Sequence, residues 1–167
     1  DVFFREILSQ GTYPTQLGIR TPTGNRAVHL FHWEDLSTLN LIFCRRDYWV
    51  PDHLRIAVDI GSNIGISALY WLTRNEDCQT YLYEPVPRNI ERIKQNIAGL
   101  EERCVLTGAA VADFHGKVEF GIEETGKLGG IGVETSATIE VDCLHAMEII
   151  DPILEKHGVI DCLKVDT

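Results

Sequence analysis

The 167-residue chain has little that would take it into or across a membrane. A membrane span requires an apolar run of roughly 18 residues, and candidates such as residues 39–44 break within about six. The opening Asp1-Val2-Phe3-Phe4-Arg5-Glu6 has no basic start leading into a long apolar stretch, so it does not read as a secretory signal. Cysteine is odd in number, and no two of Cys44, Cys78, Cys104, Cys143 and Cys162 are spaced as a metal knuckle or redox pair. Reduced thiols in a soluble, cytoplasmic protein are expected. Positive charge is also short: 15 basic residues face 25 acidic ones, for a formal net charge of -10 and a pI near 5.0. That balance works against phosphate backbones and anionic membranes, so no nucleic-acid partner is expected, local basic pairs such as Arg45 and Arg46 notwithstanding. Repeats and low-complexity segments are absent, and 44% hydrophobic residues can fill the core of one domain.

What is present divides near residue 52. Residues 1–52 read as an extension packed on the core: a short helix over residues 2–8, then a hairpin turning at Pro22 and Gly24. Asp35 serves as N-cap of a helix carrying Leu36, Leu39 and Phe43 that ends near Arg45. Residues 53–167 alternate strands and helices, the pattern of a parallel sheet covered on both faces. Strands are expected at residues 55–60, 80–84, 104–111 and 162–166. Between the first three lie a helix with Ile66, Leu69, Tyr70 and Thr73 on one face and another opened by Pro87 with an Ile90, Ile93, Ile97, Leu100 stripe. Residues 117–122 and 137–142 suggest an inserted β-hairpin with a mobile, glycine-rich tip. A broken helix over residues 144–157 follows, restarting at Asp151-Pro152 and stopping at Gly158.

The sharpest feature is Asp59-Ile60-Gly61-Ser62-Asn63-Ile64-Gly65, placed between a buried strand and a helix, at the sheet edge where open α/β sheets bind ligands. Glycine permits close approach of the main chain, and the helix start presents free N–H groups. Glu84 ends the next strand 19 residues after Gly65, where a carboxylate can accept hydrogen bonds from both hydroxyls of a ribose. Together these indicate a nucleoside cofactor. A dinucleotide fingerprint G-x-G-x-x-G fails at Asn63 and Ile66, and the Gly-Lys-Ser/Thr of a P-loop is missing. A purely structural strand-to-helix turn is the alternative.

Asp59-x-Gly61-x-Asn63-x-Gly65 resembles motif I of class I S-adenosylmethionine-dependent methyltransferases, and residues 58–67 narrow the resemblance to the FkbM family. Ile19-Arg20-Thr21-Pro22 with Gly24, Phe43, Asp47-Tyr48, Tyr83-Glu84-Pro85, Ala109-Ala110-Val111 with Gly116, and Leu163-Lys164-Val165-Asp166 resemble that family in the expected order. The similarity spans roughly residues 17–167. It implies a Rossmann-like class I methyltransferase sheet, apparently truncated after the fourth strand. The family's Glu-Gly beyond Asp166 is not in this chain, and three further strands of the fold have no counterpart. An exposed apolar edge would result, to be covered by a C-terminal segment or by another copy in a homo-oligomer.

The resemblance also implies transfer of a methyl group from S-adenosylmethionine to a hydroxyl oxygen on a sugar or other small molecule. In that reading Asp59 and Gly61 bracket the methionine part, Ser62, Asn63 and Gly65 line the floor, and Glu84 holds the ribose. Ala110 meets the adenine edge and Tyr48 closes over the cofactor. Asp166 ends the fourth strand beside motif I, as general base or partner of the sulfonium. No metal is expected there, because further oxygen ligands are wanting. His29 and His32 lie on opposite faces of a strand, and His145 reads as a surface residue. The reading from another class is a non-catalytic nucleoside-binding module. An RNA methyltransferase is weakened by the net charge.

Overall fold

The computed structural model describes residues 11–123 and 129–166. The helix expected over residues 2–8 and part of the expected mobile tip, residues 124–128, lie outside the described residues. The chain enters through an antiparallel hairpin of β1 (Thr15–Thr21) and β2 (Gly24–Leu30). Its turn is closed by the Thr21 hydroxyl, which donates to the Gly24 carbonyl (2.7 Å). Helix α1 (Trp33–Leu39) starts three residues before the expected position, with His32 in place of Asp35 as N-cap. Asp35 therefore caps from inside the first turn: its carboxylate accepts the N–H groups of Phe31 (2.7 Å) and His32 (2.9 Å). A wider π-turn, Asn40–Cys44, continues α1 to Arg45.

The central sheet is parallel, in the order β10-β3-β4-β5, built from β3 (Ile56–Ile60), β4 (Gln79–Tyr83), β5 (Cys104–Thr107) and β10 (Cys162–Val165). Every residue of β3 is buried, as a strand covered on both faces requires. Alternation decides which side each serves. Ile56, Val58 and Ile60 pack with Tyr81 and Tyr83 under helix α4 (Ala146–His157), through Ile149 and Ile153. Ala57 and Leu82 face helices α2 (Ile66–Leu72) and α3 (Pro87–Asn96). The expected single apolar face of α2 is too modest, since all seven of its residues are buried and a helix in that position must be apolar all round.

Val28, Leu30, Leu36 and Leu39 join the same apolar cluster as α2, so packing is continuous across residue 52. Asn96 ties the hairpin to the core: its amide donates to the carbonyls of Ile64 (2.8 Å) and His29 (3.2 Å), and its oxygen accepts the His29 N–H (2.7 Å).

Three expectations are corrected beyond β5. The strand expected over residues 104–111 is two strands, because the chain turns at Gly108 and Ala109 and β6 (Ala110–Ala112) joins a different sheet. The inserted hairpin is the middle of that second sheet, ordered β6-β9-β7-β8, with β7 (Gly116–Ile122), β8 (Gly129–Ile131) and β9 (Ala137–His145). Gly129 and Gly130 belong to β8, not to a loose tip. A Cβ on Gly129 would sit 2.7 Å from the Gly121 carbonyl, and one on Gly130 would sit 2.7 Å from a Val133 methyl carbon. These glycines allow close packing. Finally α4 does not restart at Pro152; it is one helix that carries Pro152 inside it and ends at a left-handed Gly158 (φ 74°).

Candidate functional site

The two sheets face each other across a cavity of about 620 Å³. Its floor is the carboxyl edge of the parallel sheet, where β3 has β4 on one side and β10 on the other. That reversal of strand order opens a crevice in α/β sheets. Gly61 and Asn63 lead the lining from the turn after β3, Glu84, Pro85 and Val86 from the end of β4, and Asp166 from the end of β10. Ala110 to Phe114, with Phe120, Ile122 and β8, form the opposite wall.

Glu84 is 5% exposed. Its Oε2 accepts the Asn63 N–H (2.8 Å), and its Oε1 accepts the N–H of Val86 (3.0 Å) and the amide of Asn89 (3.3 Å). Burial pushes its carboxyl up to about 7, against the opposing effect of those hydrogen bonds. A carboxylate has room for about four donors, so capacity remains for a hydroxyl at the cavity wall. Asn63 reaches Glu84 because it adopts a left-handed backbone (φ 51°), a conformation asparagine tolerates. Gly61 (φ 80°) and Ser62 both donate their N–H groups to the Tyr83 carbonyl (3.0 and 3.1 Å). The turn is thus fastened to β4.

The structure divides the expected site residues. Gly61, Asn63, Glu84, Ala110 and Asp166 line the cavity; Tyr48, Asp59, Ser62 and Gly65 do not. Asp59 is fully buried beneath the turn, where it accepts the Ser67 hydroxyl (2.5 Å) and the Lys164 ammonium (2.8 Å). Ser62 donates its hydroxyl to the Asp59 carbonyl (2.9 Å). Gly65 caps α2 in a left-handed conformation, its backbone packed against Ile93. Gly61 is also close to protein: a Cβ there would collide with the Asp166 carbonyl. Tyr48 is half-buried, stacked 6.5 Å from Trp71. Burial raises its hydroxyl pKa, opposed by the charge of Lys164 and reinforced by those of Asp166, Asp59 and Asp47.

Sequence reasoning gave no role to Lys164, Asn89 or the insert's wall. Lys164 had a signal: Asp59 in an apolar strand buried on both faces requires a cation, and Lys164 pairs with it in register across β10 and β3. The wall had none, because strand pairing across the insert is non-local.

Comparison with known proteins now decides the family, since the Methyltransferase FkbM domain matches residues 59–167. The chain belongs to the FkbM methyltransferase family. A curated relative, 2-O-methyltransferase NoeI of Sinorhizobium fredii, is 31% identical over 103 residues, covering 62% of this chain and 36% of its own. The FkbM chain thus spans about a third of that relative's length. Among solved structures, PH0793 of Pyrococcus horikoshii, named as a transferase, aligns with a TM-score of 0.42 at 13% identity, over 73% of this chain and 53% of its own. The C-terminal domain of precorrin-6Y C5,15-methyltransferase from Rhodobacter capsulatus gives 0.32 at 14%, over 56% and 80%. Among the described residues no group of side chains is arranged to hold a metal ion, and no helix is long and apolar enough to cross a membrane.

Proposed function

We propose that this chain carries the cofactor-binding part of an S-adenosylmethionine-dependent O-methyltransferase whose acceptor is a hydroxyl on a sugar or other small molecule. The observation that carries the reading is Glu84: a buried carboxylate at the wall of a cavity, held by three donors beside a glycine turn. Strand order supports it, since β3 lies between β4 and β10 as in half of a doubly wound nucleotide-binding sheet. The residues fit the cofactor in kind. Glu84 accepts from a ribose hydroxyl, Val86 and Ala110 offer apolar contact to adenine, and Gly61 and Asn63 border the remainder.

S-adenosylmethionine supplies a methyl group already activated on a sulfonium, so the chain's task is to position, to exclude water and to manage one proton. Asp166 stands at the cavity edge with a side chain 70% exposed, and takes up the proton of the acceptor hydroxyl as general base. Asp59, Ser62 and Gly65 act from below by holding the turn, and Tyr48 flanks the Asp59, Lys164 and Asp166 charges. The wall made by β6, β7 and β8 covers the cavity on the side opposite the parallel sheet.

Calorimetric titration with S-adenosylhomocysteine, followed by methyl-transfer assays of the full-length protein on sugar and small-molecule hydroxyls, tests the proposal. Saturable binding with turnover is expected. Binding without turnover on any acceptor would make this a nucleoside-binding module, and no binding would remove the cofactor reading.

A further inference from the structure

We infer that Lys164 is a positioning residue for the cofactor-facing turn, its buried ammonium fastening Asp59 of β3 and the Gly61 carbonyl to β10. Nζ donates to Asp59 Oδ1 at 2.8 Å and to the Gly61 carbonyl at 2.7 Å. Asp166 Oδ2 lies 3.6 Å away, and only 12% of the lysine side chain is exposed. One cation thus touches the strand before the turn, the turn itself and the residue at the cavity edge.

A buried ion pair by itself is poor evidence of anything beyond balanced charge. The second hydrogen bond is what distinguishes Lys164. Asp59 already receives the Ser67 hydroxyl (2.5 Å), and a plain countercharge has no need of the Gly61 carbonyl. Gly61 sits at φ 80° against the Asp166 backbone, and Asp166 N–H donates to the Ile60 carbonyl (3.0 Å). Lys164 therefore closes a ring of contacts that sets the height of Gly61 relative to both strands. Burial pulls its pKa down, but the charge of Asp59, the hydrogen bond to it and the charge of Asp166 outweigh this and hold the ammonium above the ordinary lysine value. It is a permanent cation, a fixture of the turn and no proton acceptor. Its titratable neighbours are the carboxylates of Asp59 and Asp166 and the uncharged Tyr48 hydroxyl.

The test compares Lys164→Met with the double variant Asp59→Asn/Lys164→Met, which leaves no uncompensated buried charge. Two readouts are taken: affinity for S-adenosylhomocysteine, which rests on the cofactor reading, and amide hydrogen exchange at Gly61, Ser62, Asn63 and Gly65 without ligand, which does not. Lys164→Met is expected to weaken binding and speed exchange by about tenfold or more. The double variant recovers thermal stability yet keeps both defects. Recovery of wild-type affinity and exchange in the double variant would show that Lys164 only neutralises Asp59 and overturn the inference, as would a Lys164→Met protein within about twofold of wild type on both. Should Lys164→Met fail to fold, the double variant decides alone. If the wild type binds no S-adenosylhomocysteine, the cofactor reading falls, and exchange still decides the role of Lys164.

Discussion

If Glu84 holds the ribose as proposed, its acidity sets ligand affinity, and the size of the link follows from its surroundings. Its carboxyl moves from 4.5 to about 7 on burial, a displacement worth about 3 kcal/mol between protonation states. The sign follows from proton counting. Between those values the folded chain keeps a proton that the unfolded chain releases, so this group's contribution to stability is greatest below the unfolded value and declines as pH rises to about 7. A ribose hydroxyl requires the opposite form, because with three sites already filled a proton on the carboxyl would occupy the place left for it. If only the ionised form binds, affinity for S-adenosylhomocysteine at pH 6 is about tenfold weaker than at pH 8, and binding at the lower pH releases close to one proton. Calorimetry in buffers of differing ionisation enthalpy measures both. Glu84→Gln should weaken binding by about 1.5–3 kcal/mol and abolish the pH dependence. One amide oxygen cannot accept both the Asn63 and Val86 N–H groups. A wild-type dissociation constant that is flat from pH 6 to about 8, with no proton release, would refute the reasoning.

Gly61→Ala places a Cβ against the Asp166 carbonyl at a positive φ, where the left-handed backbone alone costs about 1–2 kcal/mol. Urea unfolding should show a loss of about 2 kcal/mol or more, and a change under about 0.5 kcal/mol would remove the collision as an explanation. Asn96→Leu strands the His29 N–H and the carbonyls of His29 and Ile64, so a loss of about 2–4 kcal/mol in thermal unfolding is expected. An unchanged transition would show that the hairpin does not depend on this bridge. Burial pushes the Cys78 thiol up to about 12, while Cys44 is exposed. Brief alkylation of the native protein near pH 8 should label Cys44 and spare Cys78; equal labelling in a peptide map would contradict the packing around Cys78.

The strands and helices around the parallel sheet were legible because each has a local signature: a β3 apolar but for Asp59, Pro87 opening α3, Gly158 closing α4. The site was half legible. Gly61 and Glu84 announce themselves by spacing, but whether a motif residue faces ligand or protein depends on register. Asp59 carries the family pattern yet points under the turn toward Ser67 and Lys164, a direction set by alternation along β3 and the neighbouring strands. The second sheet was the least readable, since β6 pairs with β9 across more than thirty intervening positions, and nothing local marks such a partner. Its glycines misled for the same reason. A glycine that allows two chains to touch looks in sequence like one that lets a loop swing.

The turn at Gly108 and Ala109 sends one continuous run of chain into two sheets. The Glu84 N–H bonds to the Thr107 carbonyl (3.1 Å) just before that turn, while Ala110 begins the facing wall just after it. The cavity thus has its floor and its outer wall on separate sheets. Side chains of β7 and β8 can be exchanged to reshape the wall while Glu84, Gly61 and Lys164 keep their places. For engineering, this makes the wall an interchangeable part: under the proposed function, substitutions on β7 and β8 would vary acceptor scope and leave the affinity for the methyl donor to the parallel sheet.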